Sequence, residues 1–379
     1  MEGIRKEKGK KGGRYRMKKY GVIMAGGGGT RFWPLSRKER PKQLLNLSGK
    51  EIMVNETIDR VAKSVDMEDI FIVTNVSQAP LMQEETKTRL SKDHILAEPA
   101  ARNTAACIGY AAMEIVKKYE DGIMCILPSD AFIKDEEEFK RVMDGAIAAA
   151  TDTDKLITIG IKPTFPATGY GYIKGKADSK TEIPSYTEKT YLEVEEFVEK
   201  PDLETAKSYL AEGNYMWNSG MFIWKASTIL KKFEALLPDI YACLVEIGDA
   251  MGTENEQEVI KRVYPVIPKI SIDYGIMERS SDVLVLEGDF GWNDVGSLDM
   301  LHIMKDADEN GNVLYGDQIN IDSHNCISYG TDKLVATIGV DNLIIVQTKD
   351  AILVCNKDNA QDVKKVVDLL QEQGREEYL

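Results

Sequence analysis

From position 20 onward, short apolar runs alternate with amphipathic stretches. Gly21 to Ala25 and Ile70 to Thr74 read as buried strands, and between them Val54, Ile58, Val61, Ala62 and Val65 recur at helical spacing. Ile108, Ala111, Ala112, Ile115 and Val116 mark a second helix, for which Asn103 or Thr104 is a candidate N-cap. Ile123 to Leu127 predicts another strand, and Phe139 to Ala150 followed by Leu156 to Gly160 repeats the alternation. This βαβα order predicts a mostly parallel, doubly wound sheet whose ligand site lies beyond the carboxyl ends of its strands.

After about Leu301 the texture changes to short β-type runs separated by Asn, Asp and Gly turns, with no long helix until Val363, Val366, Val367 and Leu370. The division expected is a basic tail over 1–17, a catalytic domain over 18–300, and a small, separate β-rich domain over 301–379 ending in a helix. The tail, MEGIRKEKGKKGGRYRMKK as far as residue 19, has no apolar period and reads as disordered, with Met17 as an alternative start. An RNA-binding arm is the sharper reading of such a run, but the rest of the chain is acidic.

Composition narrows the classes. With 379 residues, 43% hydrophobic and 29% charged, the chain suits a globular protein with a sizeable core. Its net charge of -14 disfavours a nucleic-acid coat or a membrane-surface role, so any phosphate site must be local. No run approaches the roughly 18 apolar residues of a membrane span, and the N-terminus lacks a signal-peptide core, which predicts a cytoplasmic address. Cys107, Cys125, Cys243, Cys326 and Cys355 are scattered and read as reduced thiols, and His94, His302 and His324 are equally dispersed, without zinc-ligand spacing.

The first strand runs into four glycines, Gly26, Gly27, Gly28 and Gly29, followed by Thr30 and by five basic residues, Arg31, Arg37, Lys38, Arg40 and Lys42. A Walker A loop is excluded, because Gly49-Lys50 is followed by Glu51; the dinucleotide fingerprint is excluded, because its third glycine would fall on Arg31. Glycines at a strand end let main-chain N–H groups approach a nucleobase or a triphosphate without Cβ obstruction. Pro41 fixes the chain before Lys42. A solvated basic loop is the bland alternative.

Two strand-end carboxylates could hold one Mg²⁺ that also takes phosphate oxygens: Asp130 in CILPSD and Asp294 in GDFGWNDVGS, with Asp289 the nearest rival. Either Asp could equally be a turn or cap residue. PATGYGYIK, EEFVEKP and NYMWNSGMFIW supply Gly169 and Gly171 around Tyr170, Glu199 beside Lys200, and Asn218 beside Ser219 and Gly220. Such residues suit a sugar phosphate and its hydroxyls; alternatively Trp217 and Trp224 are core aromatics and Asn218 a turn former.

Nine segments in order, AGGGGTRFWPLSR, RPKQ, EPAARNTAA, LPSD, TGYGYI, FVEKP, WNSGMFIW, SIDYGIME and FGWNDVGS, closely resemble the sugar-phosphate nucleotidylyltransferases, specifically the bacterial mannose-1-phosphate guanylyltransferases. The resemblance runs from about Lys18 to the C-terminus. It implies a Rossmann-like, doubly wound mixed α/β sheet and a small C-terminal β domain with left-handed β-helix turns. It also implies catalytic roles for Arg31 and Lys42, nucleotide contacts from Gly26 to Thr30 and at Glu98, Arg102, Asn103, Thr104 and Ser129, and sugar-phosphate contacts at Gly171, Glu199, Lys200 and Asn218. The metal aspartates match Asp130 and Asp294, with Mg²⁺ as cofactor.

Members often have His after the first metal aspartate, where this chain has Ala131, and the isomerase domain of larger relatives has no room in 379 residues, so no isomerisation of fructose 6-phosphate is expected. The reaction implied is transfer of GMP from GTP to mannose 1-phosphate, with no nucleic-acid or membrane partner; the β domain could mediate a homodimer. The same chemistry on another sugar 1-phosphate and nucleotide is one alternative. A catalytically silent nucleotide-sugar sensor is the other, and it has no need for Arg31, Lys42, Asp130 and Asp294 together.

Overall fold

The computed structural model describes residues 17–379, so the expected basic tail, apart from Met17, lies outside the described residues. In chain order the first strands are β1 (Lys18–Met24), β2 (Ile70–Asn75), β3 (Ile95–Glu98), β4 (Gly122–Pro128), the two-residue β5 (Phe132–Ile133) and β6 (Leu156–Ile161). They are followed by β7 (Gly171–Gly175), β8 (Tyr191–Glu199), β9 (Tyr215–Lys225), β10 (Val283–Gly288) and the short β11 (Trp292–Asn293), which pairs with β5. The other nine form one sheet in the order β3-β2-β1-β4-β9-β6-β10-β8-β7.

The parallel expectation holds for β3, β2, β1 and β4, and again for β6 with β10. It fails elsewhere. β9 runs antiparallel between β4 and β6, and β8 runs antiparallel to both β10 and β7, so the sheet is mixed. The βαβ crossover enforces parallel pairing only while helices separate the strands. Beyond Ile161 the chain turns into β7 and β8 without one.

Alternation within the strands explains why helices cover both faces. On β1, Val22 enters one core and Ile23 the other; on β4, Met124 and Ile126 join Val22 while Cys125 and Leu127 join Ile23. The Ile23 face is covered by α1 (Met53–Val61), α2 (Ala79–Thr86) and, beyond α3 (Asn103–Lys118) in the chain, α4 (Glu136–Asp152), through Val54, Ile58, Met82, Phe139 and Ala146. The Val22 face is covered by α3 with the helices Ala226–Leu236 and Pro238–Ala250, through Ile108, Phe233 and Leu244.

The C-terminal part is a stack of parallel rungs. β12 (Val313–Tyr315), β14 (Ile327–Gly330) and β16 (Leu343–Gln347) form one parallel face, closed by the antiparallel β17 (Ile352–Asn356), and β13 (Gln318–Ile321) pairs parallel with β15 (Val335–Ile338). Asn325 and Asn342 make the corners, with φ of 52° and 56°, and the amide of Asn325 donates to Asn342 Oδ1 at 3.1 Å. Asparagine tolerates this left-handed backbone better than most residues. The domain is not separate in packing: Val313, Ile327, Ile344, Val346 and Leu370 share a core with Phe32, Trp33, Leu45, Leu47 and Met53, which flank the glycine loop.

Candidate active site

The carboxyl ends of the parallel strands carry the chemistry. Pro41 starts a short turn at Lys42–Leu44 that sinks Lys42 until it is only 4% exposed. Its Nζ donates to Asp130 Oδ2 at 2.9 Å, to Asp130 O at 3.1 Å and to Asp294 O at 2.9 Å. One ammonium group thereby fastens the end of β4 to the turn after β11. Gly29 (φ 61°) passes so close that a Cβ there would lie 2.4 Å from Lys42 Cβ, which only glycine avoids.

The glycine loop is held by its carbonyls. Gln43 Nε2 donates to Ala25 O at 2.9 Å and to Gly27 O at 3.2 Å, and Ser36 Oγ donates to Gly29 O at 2.7 Å. Among the described residues the N–H groups of Gly26 to Gly29 have no hydrogen-bond partner, the condition of an anion cradle. Gly27 and Gly28 have open space where a Cβ would stand. Arg31, at the exposed rim, donates to Gly296 O at 3.1 Å. The other basic residues of this segment face carboxylates: Arg37 pairs with Asp350, Lys38 with Glu376 and Arg40 with Glu85.

Asp294 is the more confined aspartate. Burial raises its pKa, while the Tyr170 hydroxyl, donating to Oδ1 at 2.8 Å, and the charges of Lys42 and Arg31 lower it; Asp130 raises it. Tyr170 itself is pushed up by burial and by Asp294. Oδ1 of Asp130 and Oδ2 of Asp294 carry no hydrogen bond among the described residues. Two aspartates held by one lysine, Asp130 through its carboxylate and Asp294 through its main-chain carbonyl, and each with a carboxylate oxygen to spare, suit a hard dication such as Mg²⁺. Asp289 is exposed and does not line this cleft.

Asp130, Asp294, Glu199, Lys200, Asn218 and Asp273 line one cleft of about 250 Å³. Asn218 reaches it because β9 bulges where Gly160 pairs with Asn218, and Gly220 (φ 71°) bends the strand. The amide of Asn218 donates to Asp273 Oδ1 at 2.7 Å, and its Oδ1 accepts from Gly220 N at 3.1 Å. Asn218 thus makes its own turn contact and also holds a cleft carboxylate. A Cβ on Gly171 would lie 2.4 Å from Glu199 Oε2. Lys200 sits 3.6 Å from Glu199 Oε1 with its side chain mostly free. Burial and the neighbouring Asp273 raise the Glu199 pKa, against the pull of Lys200.

The residues expected around the nucleobase stand on the other side of the glycine loop. Glu98, 6% exposed, accepts from the Tyr264 hydroxyl, and its Oε2 lies 3.4 Å from where a Cβ of Gly26 would be. Burial pushes its pKa up to about 7, against the Tyr264 bond. Neither candidate N-cap acts as one. Asn103 is the first residue of α3 with φ 68°, its Oδ1 accepts from Thr104 N, and Arg102 holds the cap position without a side-chain capping bond. Thr104 Oγ1 accepts from Ile272 N at 2.9 Å, tying this segment to the turn that carries Asp273. Ser129 is buried, its amide donating to Met24 O.

Sequence reasoning missed Tyr170, Gln43, Asp273 and Tyr264. The first three had a local signal: Tyr170 stands between two glycines, Gln43 follows Lys42, and Asp273 opens the IDYG turn. Tyr264 had none.

A glycine loop with free N–H groups, two aspartates close to one lysine and a mixed α/β sheet agree with an enzyme of the nucleotidyltransferase class, which the family match establishes. The chain belongs to the nucleotidyl transferase family, whose model matches residues 20–311, and a mannose-phosphate isomerase/GMP-like β-helix domain model matches residues 316–370. The mannose-1-phosphate guanylyltransferase ManC of Salmonella typhimurium is 40% identical over 368 residues, covering 95% of this chain and 75% of that protein. The alginate biosynthesis protein AlgA of Pseudomonas aeruginosa is 39% identical over 358 residues, covering 94% and 73%. Among solved structures, the mannose-1-phosphate geranyltransferase of Thermus thermophilus superposes with a TM-score of 0.83 at 32% identity, over 94% of this chain and all of that one. No helix among the described residues is long and apolar enough to cross a membrane.

Proposed function

We propose that the chain transfers GMP from GTP to mannose 1-phosphate, releasing pyrophosphate and forming GDP-mannose, in the cytoplasm. The observation that carries this reading is Lys42 Nζ, which binds the Asp130 carboxylate and the Asp294 main-chain carbonyl at once, behind a cleft lined by both aspartates together with Glu199, Lys200 and Asn218. The names of two similar proteins, mannose-1-phosphate guanylyltransferases, support mannose 1-phosphate as acceptor and a guanylyl group as the group transferred, and GTP is the donor proposed for it.

In the proposed reaction a phosphate oxygen of mannose 1-phosphate attacks the α-phosphorus of GTP in line. The bond from that phosphorus to the α,β-bridging oxygen breaks, and pyrophosphate leaves with the electron pair. A phosphate monoester is already anionic at neutral pH, so no general base and no covalent enzyme intermediate are needed; alignment and charge neutralisation are the task. The unpaired N–H groups of Gly26 to Gly29 hold the triphosphate, Arg31 closes over it, and Lys42 fixes the two aspartates. Lys200 holds the acceptor phosphate, and Asn218 with Glu199 reads the sugar hydroxyls. Mg²⁺ held by Asp130 and Asp294 would add positive charge against the triphosphate.

Pyrophosphate release with Mg²⁺, measured over GTP, ATP, UTP and dTTP crossed with mannose 1-phosphate and glucose 1-phosphate, tests the reading. Turnover is expected with GTP and mannose 1-phosphate. Another preferred pair would keep the chemistry and replace the substrates; silence in every combination by folded protein would favour a nucleotide-sugar sensor.

A further inference from the structure

The turn that carries Asp130 is braced from behind by α1. Thr57 Oγ1 donates to Ser129 O at 3.1 Å, and Arg60 Nη2 donates to Ala131 O at 3.2 Å and to Thr57 Oγ1 at 2.9 Å. The carbonyls on both sides of Asp130 are therefore held inward by two side chains three residues apart on one helix face. Both are buried, Thr57 at 1% and Arg60 at 4% exposure.

Arg60 is an uncommon occupant for such a place. Among the described residues no carboxylate lies within ion-pair distance of it, its Nε has no hydrogen-bond partner, and its guanidinium packs over the Phe139 ring at 5.6 Å. Burial pushes its pKa down to about 10, with Glu136 and Glu56 acting only at longer range, so it is cationic at neutral pH. An unpaired buried cation is costly, and an apolar side chain of the same volume would commonly serve stability as well or better. Packing alone does not account for an arginine here. The residue after Asp130 is Ala131, which has no side chain to steady a ligand, and its carbonyl is what Arg60 holds.

We propose that Arg60 is a positioning residue for Asp130: with Thr57 it sets the peptide planes on either side of that aspartate, and so the direction in which the carboxylate meets a metal ion. The inference rests on Asp130 being a metal ligand. Groups that orient a ligand from outside the coordination sphere typically change metal affinity by about 10- to 100-fold when removed.

The test is Mn²⁺ binding to the free full-length enzyme, followed by electron paramagnetic resonance without nucleotide, together with the Mg²⁺ dependence of pyrophosphate release and the Tm of each variant. Arg60→Met is expected to weaken Mn²⁺ binding about 10- to 100-fold and to raise the Mg²⁺ midpoint in parallel, with KM for the sugar phosphate unchanged at saturating metal. Arg60→Lys, which keeps the charge but not the fork, falls between wild type and Arg60→Met. Metal affinity within twofold of wild type, with only Tm altered, overturns the proposal. Should Arg60→Met fail to fold, Thr57→Val removes one brace and keeps the cation; it is expected to weaken Mn²⁺ binding severalfold, and unchanged binding overturns the proposal equally. Asp130→Asn is the control: if it binds Mn²⁺ as the wild type does, the metal reading fails and this inference with it, a result distinct from an inert Arg60.

Discussion

The Tyr170 hydroxyl donates to Asp294 Oδ1 at 2.8 Å while the main-chain carbonyl of the same aspartate accepts from Lys42 at 2.9 Å, so one residue is gripped from both ends. Burial already raises the Asp294 pKa, and Tyr170 is one of the groups that lower it. Tyr170→Phe keeps the ring against Trp217 and Trp292 and removes only that donor. The carboxylate should then protonate at higher pH, moving the acid limb of the pH–rate profile upward. A hydrogen bond to a charged group is worth about 1.5–3 kcal/mol, which sets the scale of the loss on that limb. A profile superimposable on the wild type would remove Tyr170 from the site.

Lys42→Ala deletes a cation that binds both aspartates. Loss of a preorganised charge-stabilising group costs roughly 10² to 10³ in turnover, and Asp130→Ala is expected to cost as much. Pyrophosphate release measures it, with circular dichroism as the check on folding. If either variant keeps a tenth of wild-type activity, the role assigned to it is wrong.

The glycines separate into two kinds. Gly28→Ala adds a methyl group in open space and should leave Tm unchanged while raising KM for GTP. Gly29→Ala places alanine at φ 61° with its Cβ 2.4 Å from Lys42 Cβ. Left-handed backbone alone costs an alanine about 1–2 kcal/mol, and displacement of Lys42 adds a loss of turnover. Thermal unfolding and kinetics on the same pair of proteins distinguish the two; equal behaviour would contradict the geometry.

Glu98 predicts a pH-dependent stability. Its folded pKa of about 7 lies above its ordinary value of 4.5, so between those pH values the folded protein holds a proton that the unfolded chain releases. Stability from this group is greatest below about pH 4.5 and is lost as pH rises to about 7. Glu98→Gln cannot titrate and still accepts from Tyr264. Relative to wild type it should gain on the order of 3 kcal/mol between pH 4.5 and 8, the equivalent of the shift at about 1.4 kcal/mol per unit. Denaturant midpoints across that range decide it: parallel curves would mean that Glu98 is not a buried carboxylic acid.

Much of this was legible from one chain. The strands β1, β2, β4 and β6 and the helices α1, α3 and α4 fall where the apolar periods put them, because each is buried on a face that its spacing defines. Lys42 and the loop aspartates Asp130 and Asp294 do meet. What sequence left open was pairing over distance. Nothing local in TGYGYI says that Tyr170 reaches Asp294, 124 positions away, or that Tyr264 reaches Glu98 across 166. The antiparallel insertion of β9 was hidden for the same reason, since its two neighbours are chosen by tertiary packing. Of the five basic residues after the glycines, three are taken up by partners as distant as Asp350 and Glu376.

The two family models meet between residues 311 and 316. Across that seam Trp33 donates to Tyr378 O at 2.8 Å, and Tyr329 reaches Asn46 O. Comparison of sequences suggests interchangeable parts; the molecule offers none. A β-helix borrowed from a relative and spliced in at the seam would seat the glycine loop on a foreign surface, with the aromatic floor at Phe32 and Trp33 left to find new neighbours. Grafts in this family should therefore exchange residues 30–53 together with the C-terminal domain, because the segment after the glycine loop and the helix Val363–Glu372 are built around one core.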